Sequence, residues 1–106
     1  MKILELEFEG KGEVSNVHFK QLKKSDKVFL YELTDLDNGK IRYEVFEKHV
    51  QKDGEAIIAG QVVKYEEKEL YPKSNNFGVW AWCYSDYEKA LIKFDELTAK
   101  IKQNEQ

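Results

Sequence analysis

Hydrophobic and polar residues alternate at the start of the chain, where Leu4, Leu6 and Phe8 interleave with Glu5, Glu7 and Glu9. That period of two predicts a strand with one wet and one buried face. Gly10-Lys11-Gly12 breaks the run, and Glu13 to Leu22 follows as a second strand, with Val17 and Phe19 on one face and His18 and Lys20 on the other. The Gly-rich link predicts an antiparallel hairpin between them. Val28 to Leu33 carries large apolar groups on both faces, which places it centrally in a sheet. Asp37-Asn38-Gly39 tolerates positive φ and closes a hairpin into Ile41 to Val50, where Ile41, Tyr43 and Val45 oppose Arg42, Glu44, Phe46 and Lys48. After the turn signal Lys52-Asp53-Gly54-Glu55, Ala56 to Glu66 reads as a further strand with Gly60 as a bulge.

Glu66 to Asn76 contains the lone proline, Pro72, and a polar run, and reads as a long loop. Gly78 to Tyr84 reads as a last strand that sends Trp80, Trp82 and Tyr84 to one face and Val79, Ala81 and Cys83 to the other. Ser85 and Glu88 have the spacing of a capping box. Beyond them Tyr87, Ala90, Leu91, Phe94, Leu97, Thr98 and Ile101 recur at steps of three and four, which predicts one amphipathic helix. Strands first and helix last give an α+β domain spanning residues 1–106, a meander-like, mostly antiparallel sheet of about five or six strands with the C-terminal helix on one face.

The 106 residues, 42% hydrophobic and 35% charged, suit one folded domain that needs no staples. A net charge of −3 excludes the basic footprint of nonspecific polyanion binding. Of 17 basic residues only Arg42 is an arginine, and lysine lacks the planar fork that reads phosphates and base edges in pairs. Cys83 has no partner for an internal disulfide. The Glu-interrupted start is no signal peptide, and no apolar run is long enough for a membrane span, so the expected compartment is the cytoplasm, with no membrane contact.

Catalysis needs a nucleophile, a base and an orienting group, whereas one Cys and two His are a thin supply, and no nucleotide, metal or EF-hand motif is present. The expectation is a protein without catalytic, cofactor or metal residues. Cys83, on a small-residue face, is expected to be a buried thiol, and Glu66, Glu67 and Glu69 a solvated edge. Lys20, Lys23, Lys24 and Lys27 form a basic cluster that could attract a phosphate chain, which makes nucleic acid an alternative partner. The surplus of aromatic residues marks an interface: Tyr43, Tyr65, Trp80 and Trp82 are candidates for a sheet face that meets a protein partner or a second copy. Two placements of the indoles stay open, core beneath the helix or far face of the sheet. The function expected is thus a small noncatalytic interaction or regulatory module, with nucleic-acid binding, and a ligand or enzyme pocket between helix and sheet, as alternatives.

Overall fold

The computed structural model describes residues 1–104 and is α+β, as the pattern predicts. In chain order the elements are β1 (Glu7–Glu9), β2 (Val17–Lys24), β3 (Val28–Asp35), β4 (Ile41–Glu47), β5 (Val50–Gln51), β6 (Gly54–Ile58), β7 (Gln61–Tyr65), β8 (Lys68–Glu69), β9 (Ala81–Tyr84) and α1 (Tyr87–Asn104). The main sheet is antiparallel, with the order β1-β2-β3-β4-β9. Its first three connections are hairpins between sequence neighbours; β9 arrives beside β4 after the chain has left the sheet and returned.

The central position predicted for Val28 to Leu33 follows from its two apolar faces. Val28 and Leu30 join Val45 on one side, where Ala90, Phe94 and Leu97 of α1 bury them, with Tyr43, Trp82, Tyr84 and Ile101 at the margin. Phe29, Tyr31 and Leu33 point the other way and pack with Val17, Phe19, Phe46 and Ala81. The helix keeps the predicted stripe, but its cap is shifted by one residue from the Ser85 expectation. The Asp86 carboxylate accepts from the Glu88 N–H at 2.9 Å, so Asp86 occupies the capping role.

The far face is covered by the chain itself. Between β8 and β9 the chain crosses it with no long regular element, and Tyr71, Phe77 and Trp80 pack on it together with Leu4, Phe8 and Val14. Tyr71 is the centre of this cover. Its ring stands edge-on to those of Phe8, Phe19, Tyr31 and Phe46, with centroids 5.9, 5.1, 5.4 and 4.9 Å away. Such edge-to-face pairs contribute about 0.5–1.5 kcal/mol each beyond area burial.

The single strand expected from Ala56 to Glu66 is instead two, β6 and β7, joined by Ala59-Gly60. Both turn residues have positive φ, 51° and 78°, the type I′ geometry whose twist suits a two-residue hairpin. Gly60 is therefore a turn residue and not a bulge. β5 pairs β8 as Val50↔Glu69 and Gln51↔Lys68, and β6 pairs β7 from Gly54↔Tyr65 to Ile58↔Gln61. The two ladders share one register, broken only at Lys52-Asp53 and Glu66-Glu67. Residues 50–69 are thus one long arm, and the nine residues from Val50 to Ile58, extended at about 3.3 Å each, give it a reach of roughly 30 Å. The molecule measures 48 × 45 × 22 Å, with a radius of gyration of 15.5 Å, against about 13 Å for a compact chain of 100 residues.

The base of the arm is fixed. Lys2 donates its N–H to the Glu67 carbonyl and accepts from the Glu69 N–H, both at 2.9 Å. Glu69, expected on a solvated edge, is buried: Oε1 accepts from the Leu4 N–H at 3.0 Å, and the Lys48 ammonium lies 3.3 Å from Oε2, which accepts no hydrogen bond among the described residues.

Candidate interaction surface

The four aromatic candidates do not share a face. Tyr43 lies on the helix side, its ring 5.5 Å from that of Tyr87, and Trp82 lies there too, with the Lys93 ammonium 4.0 Å over its ring. Trp80 packs on the far face, stacked on His49 at 3.9 Å and edge-on to Phe46 at 6.4 Å. Tyr65 belongs to the arm, in β7. The physical reason is the segment before β9. Gly78 takes φ 87°, its N–H donates to the Ala81 carbonyl at 2.7 Å, and the resulting turn removes Trp80 from the strand, so its direction no longer follows the alternation of β9. Neither placement of the indoles as a pair holds, since one goes to each side, and both are half-buried.

The lysine cluster is likewise divided. Lys20 stands in register between Glu7 and Glu32. Lys23 is 3.8 Å from Asp95 and 5.1 Å over the Phe94 ring, on the helix side. The bulge at Leu22 ends there, and Lys24 turns to the other side, 5.5 Å over Phe29. Lys27 sits in the following turn, its carbonyl accepting from Lys48 N–H at 2.7 Å. Acidic neighbours and opposed directions leave no uniform positive field.

The two histidines have separate surroundings. His18 Nδ1 is 2.8 Å from Glu9 Oε1 and Nε2 is 3.4 Å from Glu7 Oε1. The Glu9 hydrogen bond, followed by the Glu7 one, raises the imidazole above its ordinary pKa. Cys83, expected in the core, is exposed. It stands opposite Glu44 in the β4–β9 register, and partial desolvation, then the Glu44 charge, push its thiol up, with Arg42 opposing. An elevated thiol is the reverse of an activated nucleophile. Glu44 itself is buried; desolvation raises its carboxyl, against the hydrogen bond it accepts from Tyr71 and the nearby Arg42.

Two open depressions flank Glu44. One, of about 410 Å³, runs along the edge of β9 past Phe77, Trp82 and Cys83; the other, of about 380 Å³, lies between Arg42, Tyr71 and Lys73. Between helix and sheet the space beside Val28, Thr98 and Ile101 is about 30 Å³, room for about one water. Among the described residues no group of three or more His, Cys, Asp or Glu is placed to hold a metal ion, and no helix is long and apolar enough to cross a membrane.

The feature that the sequence reading missed is the tip of the arm. Ile57 is 78% exposed, Val62 62% and Ile58 52%. Ile57 and Val62 are cross-strand partners on one face, while Ile58, Ala56, Val63 and Tyr65 share the other. From Ala56 to Val63 there is no charged residue. The signal for this was Ala59-Gly60, a small residue before glycine between two β-branched pairs. Comparison with protein-family models, curated proteins and solved structures finds no match to this chain.

Proposed function

We propose that this protein is a noncatalytic protein-interaction module that makes its contact through the arm, not through an aromatic sheet face. The observation that carries this reading is the exposure of Ile57, Ile58 and Val62 on a projecting two-stranded hairpin. Apolar area of that kind is stabilising only when a partner covers it, at about 25 cal/mol per Å² removed from water. An isolated two-stranded hairpin is also marginal in water by itself, so contact would add stability to the arm as well as to the complex. The two faces of the sheet are less open, because α1 covers one side and Tyr71, Phe77 and Trp80 pack on the other. The split lysines give no reason to prefer nucleic acid.

The test is a double substitution, Ile57→Ser with Val62→Ser, compared with the unaltered chain in thermal melting and in reconstitution with any purified protein that co-isolates with it. The expected result is an unchanged melting transition, because the tip packs on nothing in the main sheet, with loss of the complex. A complex that survives both serines would exclude the arm as the contact.

A further inference from the structure

Given the arm as contact surface, we infer that its partner is a second copy of the same chain, joined along the free edge of β6 so that two hairpins form one four-stranded sheet. Ile58 and Gln61 face each other across the two-residue turn. Residues of an antiparallel ladder alternate between bonding inward and pointing outward, so Glu55 and Ile57 of β6, and Val62 and Lys64 of β7, direct their N–H and C=O groups away from the hairpin. Among the described residues β6 pairs only with β7. On the opposite edge the N-terminal segment runs beside β8, with the Lys2 N–H on the Glu67 carbonyl and the Glu69 N–H on the Lys2 carbonyl.

A twofold axis at Ala56 sets Glu55 opposite Ile57 of the second copy and Ile57 opposite its Glu55. All four outward groups of each β6 strand then find partners. The side chains fit the same register. On one face Ala56 meets Ala56 with Val63 flanking on both sides, and each Ile58 lies over the Gly54 of the other copy, where there is no side chain to displace it. On the other face Glu55 keeps Lys64 as its cross-strand neighbour and gains Ile57 of the second copy, so no like charges are opposed. A heterologous partner would be selected by charge or by a shaped pocket, and the tip supplies neither. What it supplies is an edge whose single charge, Glu55, already faces Lys64 across the hairpin, and whose side chains fit a second copy of themselves in the register above.

The experiment uses sedimentation equilibrium of the full chain from micromolar to millimolar concentration, with Glu55→Pro and Lys64→Pro as a matched pair. Each proline removes one outward N–H and one charge, and keeps both the inward ladder and the apolar tip. The expected result is a mass that rises from 12.5 kDa to twice that value, a dissociation constant at least about tenfold weaker for Glu55→Pro, and little change for Lys64→Pro. Amide exchange on the unaltered chain gives a readout that no misfolded variant can confuse: Glu55 and Ile57 become protected as concentration rises, while Val62 and Lys64 do not. Association weakened by Lys64→Pro and not by Glu55→Pro overturns the choice of edge. A chain that stays monomeric throughout overturns the inference, yet leaves the arm reading standing if Ile57→Ser with Val62→Ser still abolishes a complex with another protein. Monomeric behaviour with no such complex ends both.

Discussion

Tyr71 does with one ring what a second helix does in a larger fold. Its edge-on contacts close the far face of the sheet, and its hydroxyl donates to Glu44 Oε1, so the only polar atom of the side chain is satisfied where it is buried. That bond has a consequence for the neighbouring Cys83. The Glu44 charge is one of the causes that hold the thiol up, after desolvation. Because the thiolate is the reactive form, one thiol is expected to react in the native protein, with a rate that keeps climbing above pH about 8.5, where an ordinary free thiol is half ionised. Glu44→Gln removes a raising cause, so its rate profile should move to lower pH. Stopped-flow measurement with a disulfide reagent checks both, and reaction only after denaturation would contradict the exposed position of Cys83. The sequence reading placed this thiol in the core because its strand neighbours on that face are small. It could not see that β9 is an edge strand, with no further strand beside Cys83 among the described residues.

Among the elements, the arm is where local geometry is least favourable. Ala59 has φ 51°, a left-handed conformation that costs an L-residue with a Cβ roughly 1–2 kcal/mol. Asn adopts it readily and Asn-Gly is the preferred type I′ pair. Ala59→Asn is therefore expected to stabilise the hairpin by about 1 kcal/mol, which slows exchange of the inward-facing Ala56 and Val63 amides roughly fivefold. Unchanged exchange would mean that the turn is not what limits the hairpin. The same residue explains why the hairpin was illegible as such. Apolar residues continue on both sides of the turn, and with alanine in place of Asn or Asp at its first position only Gly60 marks the reversal. By contrast Asp37-Asn38-Gly39 and the helical stripe from Ala90 to Ile101 were readable, because residue type and period agree there. The Gly78 turn was hidden in the opposite way, by aromatic residues whose spacing imitates a strand.

For the molecule as a whole, the α+β class and the helix on one face were legible because both rest on periodicity, while the cover on the other face was not. Residues 70–80 have no period, and only the fold brings Tyr71 over Phe8, Phe19, Tyr31 and Phe46. The supply of aromatic groups on two faces was read correctly; what meets the second face is the chain's own loop. The two covers are unequal in kind. Removal of everything after Ser85 strips Ala90, Phe94 and Leu97 from Val28, Leu30 and Val45. At about 1.5–3 kcal/mol for each large buried side chain, this loss rivals the roughly 5–15 kcal/mol that holds a typical domain folded. The truncated chain is expected to lose its cooperative melting transition in circular dichroism, and a sharp transition near that of the full chain would show that the aromatic side suffices.

The common register from Val50↔Glu69 out to Ile58↔Gln61 makes the arm a ruler. Its length is independent of everything below its first rung, since residues can be added or removed in opposite pairs without altering how the body is built. Each pair moves the tip by about 3.3 Å. Side chains alternate, so a single pair also turns the tip over and presents Ile58 where Ile57 was, whereas two pairs change the distance alone. Reach and orientation are thus set by count and parity, two quantities that insertion or deletion can adjust while the sheet and helix stay as they are.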